Sequence, residues 1–102
     1  MPIIHENFPV WDEEKRRIVG SAPEGSFHGL PETLNLPLPS NWWRMESSTG
    51  DVIGYGWIDT GRGNAELSIA IASEVRGQGH GRTFLHHLET VARALQFSEV
   101  IG

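Results

Sequence analysis

Residues 73 to 82 read Ser73-Glu74-Val75-Arg76-Gly77-Gln78-Gly79-His80-Gly81-Arg82, three alternating glycines between two arginines. Residues without a Cβ let the backbone turn tightly and bring its amides close to a ligand. A helix opening directly afterward adds unpaired N–H groups and the positive end of its dipole. The chemistry this favours is the cradling of an anion, most naturally a pyrophosphate. The other reading of the same residues is a flexible strand-to-helix connection.

Two familiar glycine motifs do not account for the segment. The P-loop needs four residues between its glycines and then Lys-Ser or Lys-Thr, and this chain's only lysine is Lys15. The dinucleotide fingerprint GxGxxG fails at position 82, where Arg stands in place of the third glycine. That fingerprint also belongs to a parallel βαβ unit, whereas a meander is expected here.

The elements that must position the loop are legible on both sides of it. Upstream, NWWRMES, VIGYGWIDT and AELSIAIA read as three strands, and STGD and GRGN between them read as hairpin turns. Trp42 and Trp43 then point to opposite sheet faces, and the sequence leaves open which faces what. Downstream the period changes: Phe84, Leu85, Leu88, Val91, Ala92 and Leu95 share one face of a helix from about Gly81 to Leu95. The segment SEVIG then begins another strand. Near the start, Trp11 to Val19 places acids first and bases last, which suits a short helix stopped by Gly20. Ala22 to Ser40 is too rich in proline and glycine for a long helix or central strand, so a packed loop is expected, with one helical turn over Pro31 to Leu36.

Composition bounds the answer further. A chain of 102 residues makes one domain, here divided into residues 1–40 and 41–102 by character. A net charge of -5 argues against nucleic acid as a partner, because duplex binding rests on neutralising phosphates. No cysteine is present, which removes disulfides, thiolate metal sites and a cysteine nucleophile. His86 and His87 are adjacent on a helix and point roughly 100° apart, so they are not a facing ligand pair and no metal site is expected. His28 reads most simply as a solvated loop histidine. There is no signal-peptide pattern and no apolar run near the roughly 18–20 residues that span a bilayer, so a cytoplasmic protein without membrane contact is the expectation.

The pattern Arg-x-x-Gly-x-Gly, here Arg76, Gly79 and Gly81, set between a strand and an amphipathic helix, resembles the coenzyme A signature of the GNAT acyltransferase superfamily. The resemblance covers Trp42 to Gly102 well and the first forty residues loosely. It implies an α/β fold of the α+β sandwich type: a mostly antiparallel twisted sheet with flanking helices, short at its C-terminal end. It implies acetyl-CoA as cofactor and transfer of acetyl to a primary amine on a small molecule or peptide, that is, an N-acetyltransferase. By the same resemblance the backbone of Ile69, Ala70, Ile71 and Ala72 would bond the pantetheine arm where the strand splays from its neighbour. Arg76, Gly77, Gln78, Gly79, His80, Gly81 and Arg82 would wrap the pyrophosphate.

Catalysis in this family usually passes the acyl group directly to the amine, with a base taking the ammonium proton. Glu66 is the base candidate, because alternation sets Glu66, Ser68 and Ala70 on the less apolar face of their strand. A solvated carboxylate or a salt-bridge partner reads the same from sequence. Many family members continue into a further helix whose tyrosine acts as general acid, whereas the only tyrosine here is Tyr55, in the middle of a meander strand. The sheet therefore reads as unfinished, and a homodimer or a partner chain completing it is expected. A coenzyme A binding or regulatory module without turnover, or a fragment of a larger acetyltransferase, is the alternative.

Overall fold

The computed structural model describes residues 2–21, 33–38, 41–60, 64–95 and 99–101. Seven strands and two α-helices follow in the order β1 (Ile3–Glu6), β2 (Val10–Trp11), α1 (Glu13–Val19), β3 (Leu36–Pro37), β4 (Asn41–Glu46), β5 (Val52–Thr60), β6 (Asn64–Ile71), α2 (His80–Ala94) and β7 (Glu99–Ile101). A short 3-10 turn, Ser73–Val75, lies between β6 and α2.

The main sheet has the order β1-β4-β5-β6-β7, antiparallel throughout except that β7 runs parallel to β6. This is the expected mixed α/β architecture, and the three meander strands lie where their alternation sets them. The turn after β4 is built as its residues suggest: Gly50 has φ 89, and Ser47, Thr49 and Asp51 bond one another across it. The turn expected at GRGN lies outside the described residues.

The N-terminal region holds more sheet than its sequence suggests. Ile3 to Glu6 forms an edge strand on β4, Ile3 opposite Met45 and Glu6 opposite Trp42. Val10 and Trp11 pair with Leu36 and Pro37 in a separate two-stranded ribbon. Trp11 is thus strand, and α1 begins later than expected because Asp12 caps it, its carboxylate accepting from Lys15 N at 2.8 Å. In the described part of the expected turn over Pro31–Leu36, the chain instead bends at Asn35, which has φ 67, and enters β3.

One helix covers each face of the sheet. On one, Phe84, Leu88 and Ala92 of α2 meet Trp43, Met45, Ile58, Ala65 and Leu67 in a dry core. Gly54 and Gly56 of β5 let α2 approach: a Cβ on Gly56 would stand 2.6 Å from Phe84 Cε1 and 2.9 Å from Leu88 Cδ1. On the other face, Ile18 and Val19 of α1 pack with Trp42, Tyr55, Trp57 and Ala70. Trp42 and Trp57 stack there at 4.4 Å, so Trp42 faces α1 and Trp43 faces α2.

Candidate active site

The loop after β6 takes its shape from its glycines. Gly77 and Gly79 have φ 81 and 82, a region that side chains with a Cβ rarely adopt, and nothing lies within 4 Å of where either Cβ would be. Gly79 is the N-cap of α2, and no side chain caps the helix. The first backbone bond into the helix is Thr83 N to Gly79 O, 3.2 Å. The amides of the preceding turn are therefore the ones a helix leaves without intrahelical partners. Alternation of left-handed with other residues is the backbone pattern from which anion-binding concavities are built. Gly81 has no positive φ, and a Cβ there would make ordinary contact with Ile69 Cδ1 at 3.4 Å.

The side chains of the loop divide by role. Arg82 is exposed at the first turn of α2. His80 is half-buried, and its Nε2 has no hydrogen-bond partner among the described residues. Gln78 is exposed. Arg76 is turned back into the protein: Nε donates to Ile71 O at 3.0 Å, and Nη2 donates to Ser21 O at 3.1 Å and Ser21 Oγ at 3.0 Å. Close by, Arg17 Nη1 meets Glu74 Oε1 at 3.1 Å. The Glu74 carboxyl is held below its ordinary range by its own backbone amide first and by the Arg17 bond second.

The strand leading to the loop has one open stretch of edge. β7 pairs with β6 only from Asn64 to Glu66, so beyond Glu66 no described strand faces that edge. Ala72 N donates to Ile53 O at 2.8 Å, toward β5. Because groups alternate in direction along an antiparallel ladder, Ala70 points its N–H and C=O toward β5 as well, while Ile69 and Ile71 point theirs away. The Arg76 bond to Ile71 O lies on that outward side.

Glu66 lies near the start of β6, opposite Asp59 of β5 and Ile101 of β7. It is exposed and makes no ion pair among the described residues. Six residues of strand separate it from Ala72, on the order of 20 Å. Tyr55 is 2% exposed beneath α1, and burial first, then the Asp12, Glu6 and Glu14 carboxylates, push its phenol up. His86 is exposed and His87 half-buried on α2, while His28 lies outside the described residues. Among the described residues no group of three or more His, Cys, Asp or Glu is placed to hold a metal, and no helix is long and apolar enough to cross a membrane. A cleft of about 430 Å³ exists elsewhere, along the β1 edge, lined in part by Glu6, Phe8, Asp12, Lys15 and Arg44. It includes no residue of the loop, and its lysine ammonium is already paired with Glu6 at 2.8 Å.

Nothing in the local sequence announces Ser21 or Arg17 beside this loop. Both sit on or just after α1, 55 and 57 residues from their partners, and no local pattern reports a contact at that separation.

A meander, a glycine-shaped turn and an uncapped helix, with a parallel strand returning beside β6, define the acyltransferase class of fold. The chain belongs to the acetyltransferase (GNAT) family, whose model matches residues 5–101. Among solved structures it is similar to a phosphinothricin acetyltransferase of the GNAT superfamily from Sinorhizobium meliloti, determined in complex with acetyl-CoA. The TM-score is 0.57 at 22% identity, over 90% of this chain and 63% of that one, so the chain spans less than two thirds of that protein's length. No match was found among curated proteins.

Proposed function

We propose that the chain is an acyl-CoA dependent N-acyltransferase that uses acetyl-CoA and acts on a primary amine. The observation that carries this reading is the loop after β6, where two left-handed glycines open an uncapped fifteen-residue helix at the end of an open strand edge. The residues present fit the cofactor. The helix-opening amides of His80, Gly81 and Arg82 precede the first intrahelical bond, Thr83 N to Gly79 O, which supports a pyrophosphate there, with Arg76 and Arg82 adding positive charge to an acidic chain. His80 Nε2 is a buried ring nitrogen without a hydrogen-bond partner among the described residues. Along β6, Ile69 and the amide of Ile71 offer outward backbone groups to the pantetheine arm, while Ala70 and Ala72 pack in the α1 core.

When bound, acetyl-CoA supplies an acyl group activated as a thioester. The chain's own part is to hold that cofactor by backbone groups and to accept a proton from the amine nitrogen. Glu66 is assigned the second task, directly or through a water, from the strand face that also carries Ser68. The acidic net charge of -5 favours a cationic acceptor. A homodimer or a partner chain beside β7 remains part of this reading, as does a cytoplasmic setting.

The test is calorimetric titration of the chain with acetyl-CoA, followed by thiol release over a panel of amines. The absence of cysteine removes protein background from the second step. Binding with release is expected, and Glu66→Gln is expected to lower turnover roughly a hundredfold or more while sparing affinity. Binding without release from any amine would leave a coenzyme A binding module. No binding by the folded chain would remove the cofactor site.

A further inference from the structure

The bonds of Arg76 assign it a task different from contacting phosphate. We infer that the Arg76 side chain is a positioning residue that fastens the cofactor loop to the end of α1, with Ser21 as the opposing half of the clamp. The inference rests on the cofactor reading above for its functional consequence, though not for its geometry.

A guanidinium has five N–H donors in a fixed planar fork. Three of them are committed to protein oxygens: Nε on Ile71 O, and Nη2 on both Ser21 O and Ser21 Oγ, at 3.0 to 3.1 Å. Ser21 is itself oriented for this. Its hydroxyl gives its single proton to Ile18 O at 2.7 Å, which leaves a lone pair to accept from Arg76. The Ser21 amide also reaches Ile18 O, at 3.3 Å, so the residue is held as the last turn of α1 closes. One planar group thereby ties three points together: the end of β6, the end of α1 and the start of the loop.

The loop needs such a tether. Gly77 and Gly79 carry no side chain and meet nothing within 4 Å at their Cβ positions, so the cradle has no packing of its own. Downstream it is fixed by α2, which is anchored in the core by Phe84, Leu88 and Ala92. Upstream the fixed points are Val75, which packs against both cores, and the Arg76 clamp. The Arg17–Glu74 pair adds a second bridge between the same two segments, exposed at both ends as Arg76 and Ser21 also are, but with one ion-pair contact against the three bonds of the clamp. The clamp also engages Ile71 O, which leaves the amide of Ile71 and both backbone groups of Ile69 for a ligand lying on that edge.

A clamp and a phosphate contact respond differently to Lys. Arg76→Lys keeps the positive charge but replaces the planar fork with a single ammonium that cannot span Ile71 and Ser21 in the same geometry. We expect Arg76→Lys to lose as much acetyl-CoA affinity as Arg76→Ala, roughly tenfold. Ser21→Ala should lose part of that. The double variant Ser21→Ala/Arg76→Ala should be no weaker than Arg76→Ala alone, because both changes break one unit. Without cofactor, amide exchange at Gln78 and Gly79 should quicken in all of these variants. Recovery of wild-type affinity by Arg76→Lys, or additive losses in the double variant, would overturn the inference in favour of a direct phosphate contact. Should the wild-type chain bind no acetyl-CoA, the cofactor reading fails separately. The clamp is then judged by urea unfolding of the four proteins alone, where coupling between Ser21 and Arg76 is expected and its absence overturns the clamp.

Discussion

Beneath α2 the sheet is smooth and apolar: Gly54 and Gly56 remove two Cβ atoms, and Phe84 and Leu88 settle into the space with no exposed surface left. Beneath α1 the sheet presents Trp42, Tyr55 and Trp57, and it takes in Lys15, which is 1% exposed. The Lys15 ammonium lies 2.8 Å from Glu6 Oε1 and 3.5 Å from Asp12 Oδ2, and 4.8 and 5.6 Å from the ring centres of Tyr55 and Trp42. One helix is held by shape and the other by charge and aromatic faces. A dry contact depends on volume alone, whereas a buried cation must be matched by partners whose attraction offsets its desolvation. The glycine loop after β6 runs from Ala72 in the α1 core to Phe84 in the α2 core, so both kinds of contact position it.

The largest effect that separates the faces is expected from Phe84→Ala, which should lower unfolding free energy by about 3–5 kcal/mol. A shift of the urea midpoint with unchanged slope would show it. Lys15→Met should cost about 2–3 kcal/mol, because Glu6 is then left with only Arg44, at 3.6 Å. Adding Glu6→Gln to Lys15→Met should recover much of that loss, as removing both charges of a pair does. If Lys15→Met alone is neutral, α1 is held by shape just as α2 is, and the contrast disappears.

Gly56→Ala tests the volume argument directly. Its methyl would press on Phe84 and Leu88, with an expected loss of about 1–3 kcal/mol by the same unfolding measurement. The smallest effect at neutral pH concerns Tyr55. Burial and nearby carboxylates raise its folded pKa above the ordinary value of about 10, so its contribution is intact below that pH. Above it the unfolded chain gives up the proton first, the folded state holds more protons, and stability falls as pH rises. As the only tyrosine, it can be followed by phenolate absorbance, which should appear only as the protein unfolds in alkali. Phenolate formation near the ordinary pKa in folded protein would mean that the α1 face is wet.

Much of the fold was readable because the information is local. The alternation in VIGYGWIDT and AELSIAIA, and the change of period after Ala72, each report an element within one stretch of chain. The edge strand Ile3–Glu6 was harder to read, since four residues make little pattern and its strand character comes from pairing with β4. Trp11 likewise joins β2 through pairing with Leu36, a partner 25 residues away that no helical pattern could announce. The shape of the glycine loop was legible, because left-handed turns demand glycine whatever surrounds them.

The sequence by itself determined the strand and helix periods, the glycines at 77 and 79, and the family signature formed by Arg76, Gly79 and Gly81, because each is a property of neighbouring residues. Only the tertiary structure decided that Trp42 faces α1, that the single lysine is buried between two carboxylates and two rings, and that Arg76 turns from the loop to Ser21. Those arrangements join segments far apart in the chain, where packing of the whole sheet and its two helices sets which groups meet.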